Sequence, residues 1–372
     1  MKILVIGGTR FIGPSVVRKL HAQDHTVTLF HRGKSRVDFP KDIPHILGDR
    51  NSLADFRGKF SGLKLDVVLD MIPITEKHAQ TVVEVFKGLT ERIVAISSQD
   101  VYRAYGLLLG IEEGDIEPTP MNEDSPVRTK LFPYRQDKPR TDDDPRRILD
   151  DYEKILIERI IMDNAEAAGT VLRLPMVYGP LDYQHRLYSY VRRMEDKRPA
   201  IIMEKGMTEW RSSVGYVENV ADAIVLAITN SSARNRIYNV AEPENLSQSE
   251  WIKRIGNIFG WQGKVVVLSK EELPQKMRAG FRTEQDLTVD TTRIRNELRY
   301  REIVQLNEAL RNTIKWEIEN PPTQIDPELY DYKTEDEILR RAGEGNKGKF
   351  QISNAKYQRE EEAEEGKRRR KK

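Results

Sequence analysis

A strand that runs into a glycine turn and then a helix can hold a dinucleotide. The first glycine permits the bend, the middle one lets backbone amides reach the pyrophosphate, and the last lets helix pack on strand. VIGGTRFIG, residues 5–13, supplies Gly7, Gly8 and Gly13 but sets Arg10 where the middle glycine belongs, with Thr9, Phe11 and Ile12 completing the candidate turn. About twenty positions on, an acid normally accepts from the adenosine ribose; here the second strand ends LFHRGKSR, and His31, Arg32 and Lys34 stand there instead. A guanidinium fork suits a 2′-phosphate, so this end favours NADP over NAD unless its cations are solvated loop charges. On this reading Arg10 folds outward and joins Arg32 on phosphate. Asp49 and Arg50, in LGDRN, are further candidate cofactor residues, with Asp49 placed to accept from the adenine amino group or else to form a turn.

The elements around the turn repeat one rhythm. KILVIGG, TVTLF, HILGD, LDVVLDMI and ERIVAISS are short apolar strands, and PSVVRKLHAQDH and TEKHAQTVVEVFKGL have helical spacing between them. That alternation predicts an α/β fold with a doubly wound parallel (Rossmann) sheet. Residues 104–147 break the rhythm with prolines and charge and read as an excursion over the carboxyl edge of the sheet, where such sheets hold ligands. A helix is expected over ILDDYEKILIERIIMDNAEAAG, closed by Gly169, and a strand over TVLRLPMVYGP. The expected division is a nucleotide-binding domain over 1–180, a smaller α+β substrate lobe over 181–320 that includes VENVADAIVLAIT and RIYNVA, and a charged, flexible tail over 321–372 ending KRRRKK.

Composition narrows the chemistry. The chain of 372 residues has no cysteine, which removes disulfides, thiolate nucleophiles and cysteine-held metals. Sixty-one basic residues against 59 acidic ones leave a net charge of +2 and no global pull toward nucleic acid. No apolar run reaches the ~20 residues of a membrane helix, and MKILVIGG is too short to be a signal peptide, so a cytoplasmic location is expected. His21 and His25 lack partnering acids, so no metal is predicted, and Ser98 lacks the glycine elbow of a serine hydrolase.

Across residues 1–316 the chain resembles the extended short-chain dehydrogenase/reductases, the NAD-dependent epimerase/dehydratase family. VIGGTRFIG, ISSQDVY, LRLPMVYGP, RSSVGYVENVADAIVLAI, RIYNVAEPENLSQSEW and VDTTRIRNELRY fall in family order. The resemblance implies NAD(P)-dependent chemistry on a sugar nucleotide or similar polar small molecule, and a homodimer is compatible with it. It also implies a serine, a tyrosine and a lysine as the catalytic set. Ser98 matches the serine, and Lys154, at the head of KILIERII, matches the lysine. The tyrosine falls at position 150, where this chain has Asp150. Tyr152 is two residues from Lys154, about 200° around a helix.

Three readings stay open: Asp150 accepts the proton; Tyr102, Tyr134 or a displaced Tyr152 supplies the phenol; or proton transfer is lost. Pro175 and Val177 would line the nicotinamide side, Arg211 is a candidate for a substrate anion, and Arg173 is mainly structural. SPVRTKLFPYRQ carries Arg128, Lys130, Tyr134 and Arg135, a lid that could grip an acidic substrate or an exposed charged loop. The glycine turn with a degenerate tyrosine and lysine pair also resembles the chloroplast stem-loop-binding branch of the family, which implies a second class, a nucleotide-sensing or RNA-binding protein without catalysis.

Overall fold

A computed structural model describes residues 1–35, 37–344 and 351–353. Its centre is a parallel sheet of seven strands: β1 (Lys2–Ile6), β2 (Thr26–His31), β3 (His45–Leu47), β4 (Val67–Asp70), β5 (Arg92–Ser98), β6 (Ala168–Leu174) and β7 (Arg236–Asn239). They lie in the order β7-β6-β5-β4-β1-β2-β3. Strand order reverses beside β1, so the carboxyl ends of β1, β4 and β5 open at the switch point where doubly wound sheets bind ligands. The strands are apolar on both faces because helices cover both. Leu4, Ile6, Val68, Ile93 and Val171 meet Val82, Phe86, Ile157 and Ile161 from α2 (Glu76–Phe86) and α3 (Lys154–Met162) in one core.

The chain forms two compact units. The first comprises Met1–Val177, Ser213–Glu244 and Gln285–Val304. The second comprises Tyr178–Ser212, Asn245–Glu284 and the described residues from Gln305 onward. VENVADAIVLAIT and RIYNVA, expected in the smaller lobe, belong to the first unit. RIYN is β7, paired in register with β6, and the other segment is α4 (Val217–Thr229), packed beside α1 (Ile12–Ala22). The physical reason is that β6 would otherwise be an unpaired edge strand. Arg92 of β5 holds α4 in place, donating to the carbonyls of Ala227, Ile228 and Asn230 at its end.

In the second unit, strands Ala200–Glu204 and Lys264–Leu268 pair in parallel. Part of the expected tail is built into this unit: helix Tyr332–Glu344 buries Ile338 against Leu268 and Leu273. KRRRKK lies outside the described residues.

The long helix expected over ILDDYEKILIERIIMDNAEAAG is also broken. Arg147–Asp151 is a short 3-10 turn, α3 spans only Lys154–Met162, and Gly169 lies within β6. Asn164 accepts from the backbone of Glu166 in a tight turn that ends the helical run.

Candidate active site

The glycine turn has the backbone its sequence requires. Gly8 has φ +77°, and a Cβ there would stand 2.8 Å from Val5. A Cβ on Gly13 would lie 2.4 Å from the Gly8 backbone, so β1 and α1 approach as only glycine allows. Phe11, at the start of α1, supplies no side-chain cap, and no acid stands in the first turn. Thr9, Phe11 and Ile12 carry the chain round to a helix N-terminus suited to a pyrophosphate. This cradle fits a dinucleotide.

Its neighbours divide. Arg10 is exposed and its Nε donates to Ser35 Oγ at 3.2 Å, so its side chain extends to the loop after β2 that carries the exposed Arg32 and Lys34. His31 is occupied differently: it pairs with His45 at 2.7 Å and accepts from the Gly33 backbone. Asp49 is the turn-former, its Oδ1 accepting from the Asn51 backbone at 2.8 Å. Arg50 points inward, making a buried two-pronged ion pair with Asp70 at the end of β4. Pro175 and Val177 are buried just beyond β6.

The reacting end is built at the end of β5 and the start of α3. Tyr152 and Glu153 are extended, with ψ of 120° and 105°. Tyr152 bridges to Thr75, and the Glu153 N–H donates to the Ile74 carbonyl at 3.2 Å. In a helix, residues two apart point away from each other; in extended chain they point to the same side. Tyr152 and Lys154 therefore share a face after all, with the ammonium 5.5 Å from the tyrosine ring centroid.

Glu153 fixes this break. It is fully buried and caps α3 by accepting from the Ile155 N–H at 2.9 Å. It also accepts from Phe132 N–H at 2.6 Å and forms an ion pair with Arg128 at 3.0 Å. Arg128 in turn donates to the carbonyls of Asp100 and Lys130 at 2.6 and 2.7 Å. Breaking a buried pair of this kind costs about 3–5 kcal/mol, whereas helix propensities differ by about 0.7 kcal/mol per residue. The ion pair wins, and the helix starts at Lys154.

On the face so formed, the Tyr152 Oη donates to Asp100 Oδ2 at 2.7 Å, the Tyr134 Oη donates to the same oxygen at 3.1 Å, and Tyr105 and Tyr134 share a hydrogen bond of 2.8 Å. Ser98 lies in the same cluster, its Oγ accepting from the Asp100 N–H at 3.2 Å. The Lys154 Nζ donates to the carbonyls of Pro73 and Ile96. Burial pulls Lys154 down to about 8, with Asp100 opposing the shift. Burial, then the Asp100 charge, push the Tyr152 phenol well above its ordinary value.

Other expected residues stand elsewhere. Asp150 makes no hydrogen bond or ion pair with Lys154 among the described residues; it lies in the preceding turn, gripped by the Arg140 guanidinium and backbone N–H. Burial works against its charge, but those contacts outweigh it and hold the carboxyl low. Tyr102 is fully buried and donates to Asn239 at 2.7 Å, with burial pushing it up to about 12. Arg173 is paired with Glu158 at 2.7 Å. Of the lid cations, Arg128 is buried, Arg135 donates to the Asp150 carbonyl at 2.8 Å, and Lys130 is exposed. Arg211, in the second unit, is engaged by Glu250 and the Asn245 carbonyl. Asp100, Tyr105, Arg140 and Glu153 were not singled out from the sequence. Asp100 could have been, since it lies in ISSQDVY two residues after Ser98. Among the described residues no group of acids and histidines could hold a metal, and no helix is long and apolar enough to cross a membrane.

The sequence model of the NAD dependent epimerase/dehydratase family matches residues 3–241. Over 253 residues the chain is 26% identical to the chloroplast stem-loop binding protein of 41 kDa b of Arabidopsis thaliana, an alignment covering 64% of this chain and 58% of that one. The chain thus spans little more than half the length of the curated relatives it matches, 58% and 53%. Among solved structures, UDP-glucose 4-epimerase of Thermotoga maritima has a TM-score of 0.63 at 19% identity, covering 86% of this chain and 99% of its own. The dTDP-glucose 4,6-dehydratase of Bacillus anthracis has a TM-score of 0.61 at 16% identity, covering 88% and 99%. These two likenesses show the fold.

The tight approach in the cradle makes Gly13→Ala a direct test of it. The added methyl should cost roughly 1–3 kcal/mol in urea unfolding and remove protection against heat by either nicotinamide dinucleotide; a variant as stable and as well protected as the parent contradicts the geometry.

Proposed function

The chain belongs to the NAD dependent epimerase/dehydratase family, and from that premise we propose that it is a nicotinamide-dependent enzyme acting on a sugar nucleotide. The reaction is the interconversion of a carbinol and a carbonyl, as an epimerisation, dehydration or net oxidoreduction. Solved neighbours are described with UDP-glucose, with NAD and with both. Those ligands are theirs and serve here as probes. The observation that carries the reading is the grouping at the carboxyl end of the sheet of Tyr152 and Lys154 with Ser98, which Asp100 joins to the Tyr152 phenol, in spite of the missing tyrosine at position 150.

When bound, the dinucleotide supplies the acceptor or donor of hydride. The chain's own residues do the rest. The glycine cradle and the start of α1 hold the pyrophosphate, and Ser98 and Tyr152 orient the oxygen of the reacting carbon. Lys154 brings its amino group near the Tyr152 ring while donating to the Pro73 and Ile96 carbonyls, and burial pulls it down to about 8. Between the two dinucleotides the reading favours NADP, supported by Arg10, whose contact with Ser35 turns its guanidinium toward the loop of Arg32 and Lys34.

A second reading has one observation in its favour, the name of the Arabidopsis relative. RNA binding that is steeply salt-dependent and survives Lys154→Ala would replace the enzyme reading.

Two outcomes are expected. In single-turnover assays of nicotinamide reduction with UDP-glucose or dTDP-glucose, Tyr152→Phe and Lys154→Ala should each lose roughly 10²–10⁴-fold, the usual contribution of a proton-transfer group; rates equal to the parent's overturn the reading. In calorimetric titrations Arg10→Ala should weaken NADP by about tenfold or more, the worth of a charged hydrogen bond, and NAD little; equal losses rule out the NADP preference.

A further inference from the structure

The proposed chemistry needs somewhere to put a proton, and Tyr152, already a protonated phenol, can take one only by passing its own on. Its O–H is already given to Asp100 Oδ2 at 2.7 Å. The lysine that would ease its ionisation donates to two backbone carbonyls. Asp100 is the unusual member of the cluster. Its carboxyl is buried in the turn after β5, and Oδ2 collects both the Tyr152 and Tyr134 phenols while Oδ1 is buried with no hydrogen-bond partner among the described residues. A buried carboxylate with one unsatisfied oxygen is costly. That cost is relieved when the group takes up a proton.

We propose that Asp100 is the terminal proton acceptor of this site, receiving through the Tyr152 phenol the proton of a substrate hydroxyl. The proposal rests on the functional reading above and adds to it a residue and a direction of proton flow. In the oxidative direction the carbinol carbon loses a hydride, with its electron pair, to the oxidised nicotinamide. The hydroxyl O–H breaks as its proton passes to Tyr152 Oη, the Tyr152 O–H breaks as its proton passes to Asp100 Oδ2, and the carbon–oxygen double bond forms. The substrate is oxidised by two electrons, the nicotinamide reduced by two, and one proton rests on Asp100. The reverse flow protonates a substrate oxygen when a carbonyl is reduced. Asp100 acts through Tyr152 and is a positioning residue in that sense.

The charged and titratable groups that face the carboxyl are Arg128, Lys154, Tyr105, Tyr134 and Tyr152. Burial raises Asp100 above the ordinary carboxylate range, against the Tyr152 hydrogen bond and the two cations. A raised carboxyl is the better base. Burial, and then the Asp100 charge, keep the Tyr152 phenol protonated, as a group that passes a proton along must be.

Two readouts test this. First, in the protein without any dinucleotide, ¹³C-tyrosine NMR follows Tyr152, assigned with Tyr152→Phe. Asp100→Asn should lower its titration by about one pH unit or more, and an unmoved titration overturns the coupling. Second, the single-turnover rate with UDP-glucose or dTDP-glucose is measured against pH. The parent should show an acid limb falling about tenfold per pH unit below the Asp100 titration. Tyr134→Phe, which removes one donor from the carboxylate, should move that limb to higher pH; Asp100→Asn should abolish the limb and lose roughly 100-fold; and Asp100→Glu should restore most of the rate. A merely structural role would not move the limb in Tyr134→Phe. An acid limb that is unmoved in Tyr134→Phe, or that persists in Asp100→Asn, overturns the relay and leaves the functional reading standing. Absence of turnover in the parent with both sugar nucleotides and both dinucleotides overturns the functional reading, and the relay with it.

Discussion

The buried pair of Arg128 and Glu153 holds together the three pieces of chain that meet at the end of β5. Arg128 comes from the excursion over the sheet, Glu153 from the start of α3, and the Asp100 carbonyl from the strand-end turn, and the guanidinium bonds to the last two directly. With both charges out of water, either one left alone would be penalised by several kcal/mol. Neither can be released to let the helix run on. Two residues before Lys154 must therefore stay extended, and from that follow the side on which Tyr152 lies, the partner its phenol finds and the exclusion of Asp150 from the face.

On the proposed function, a family pattern survives the loss of one of its residues because the backbone, not the side chain, changes. A tyrosine four places before the lysine meets it across one helical turn, whereas here a tyrosine two places before meets it across a stretch of extended chain. The exchange alters the electrostatics. Lys154 is held by the carbonyls of Pro73 and Ile96, and the phenol's close charged neighbour is a carboxylate. Arg140 completes the separation by gripping Asp150 in its own turn.

Most of the sheet could be read in the sequence, because parallel strands buried on both faces are short apolar runs and the glycine turn is dictated by sterics at Gly8 and Gly13. The exceptions have physical causes. β7 and α4 lie far along the chain after a segment of the second unit, and nothing local in RIYN says which sheet edge it will cover. Ile338 reads as a lone apolar residue in a charged stretch until its contacts with Leu268 and Leu273 are seen. The break at Glu153 was hidden for a stronger reason. ILDDYEKILIERII has good helical periodicity, and the force that interrupts it is an ion pair with a residue 25 positions away. Arg50 misled in the same way, since its partner Asp70 is 20 positions on. Local pattern carries local structure; buried charge pairs are long-range facts.

If the extended pair of residues before α3 is what puts the phenol in place, position 150 can no longer serve. Single-turnover nicotinamide reduction by the double variant Tyr152→Phe, Asp150→Tyr, measured beside Tyr152→Phe alone, tests this most directly. The account predicts that the restored tyrosine recovers nothing, because residue 150 lies in a separate turn beside Arg140; recovery of the parent's rate would mean that the helix runs on through Glu153 and would contradict it.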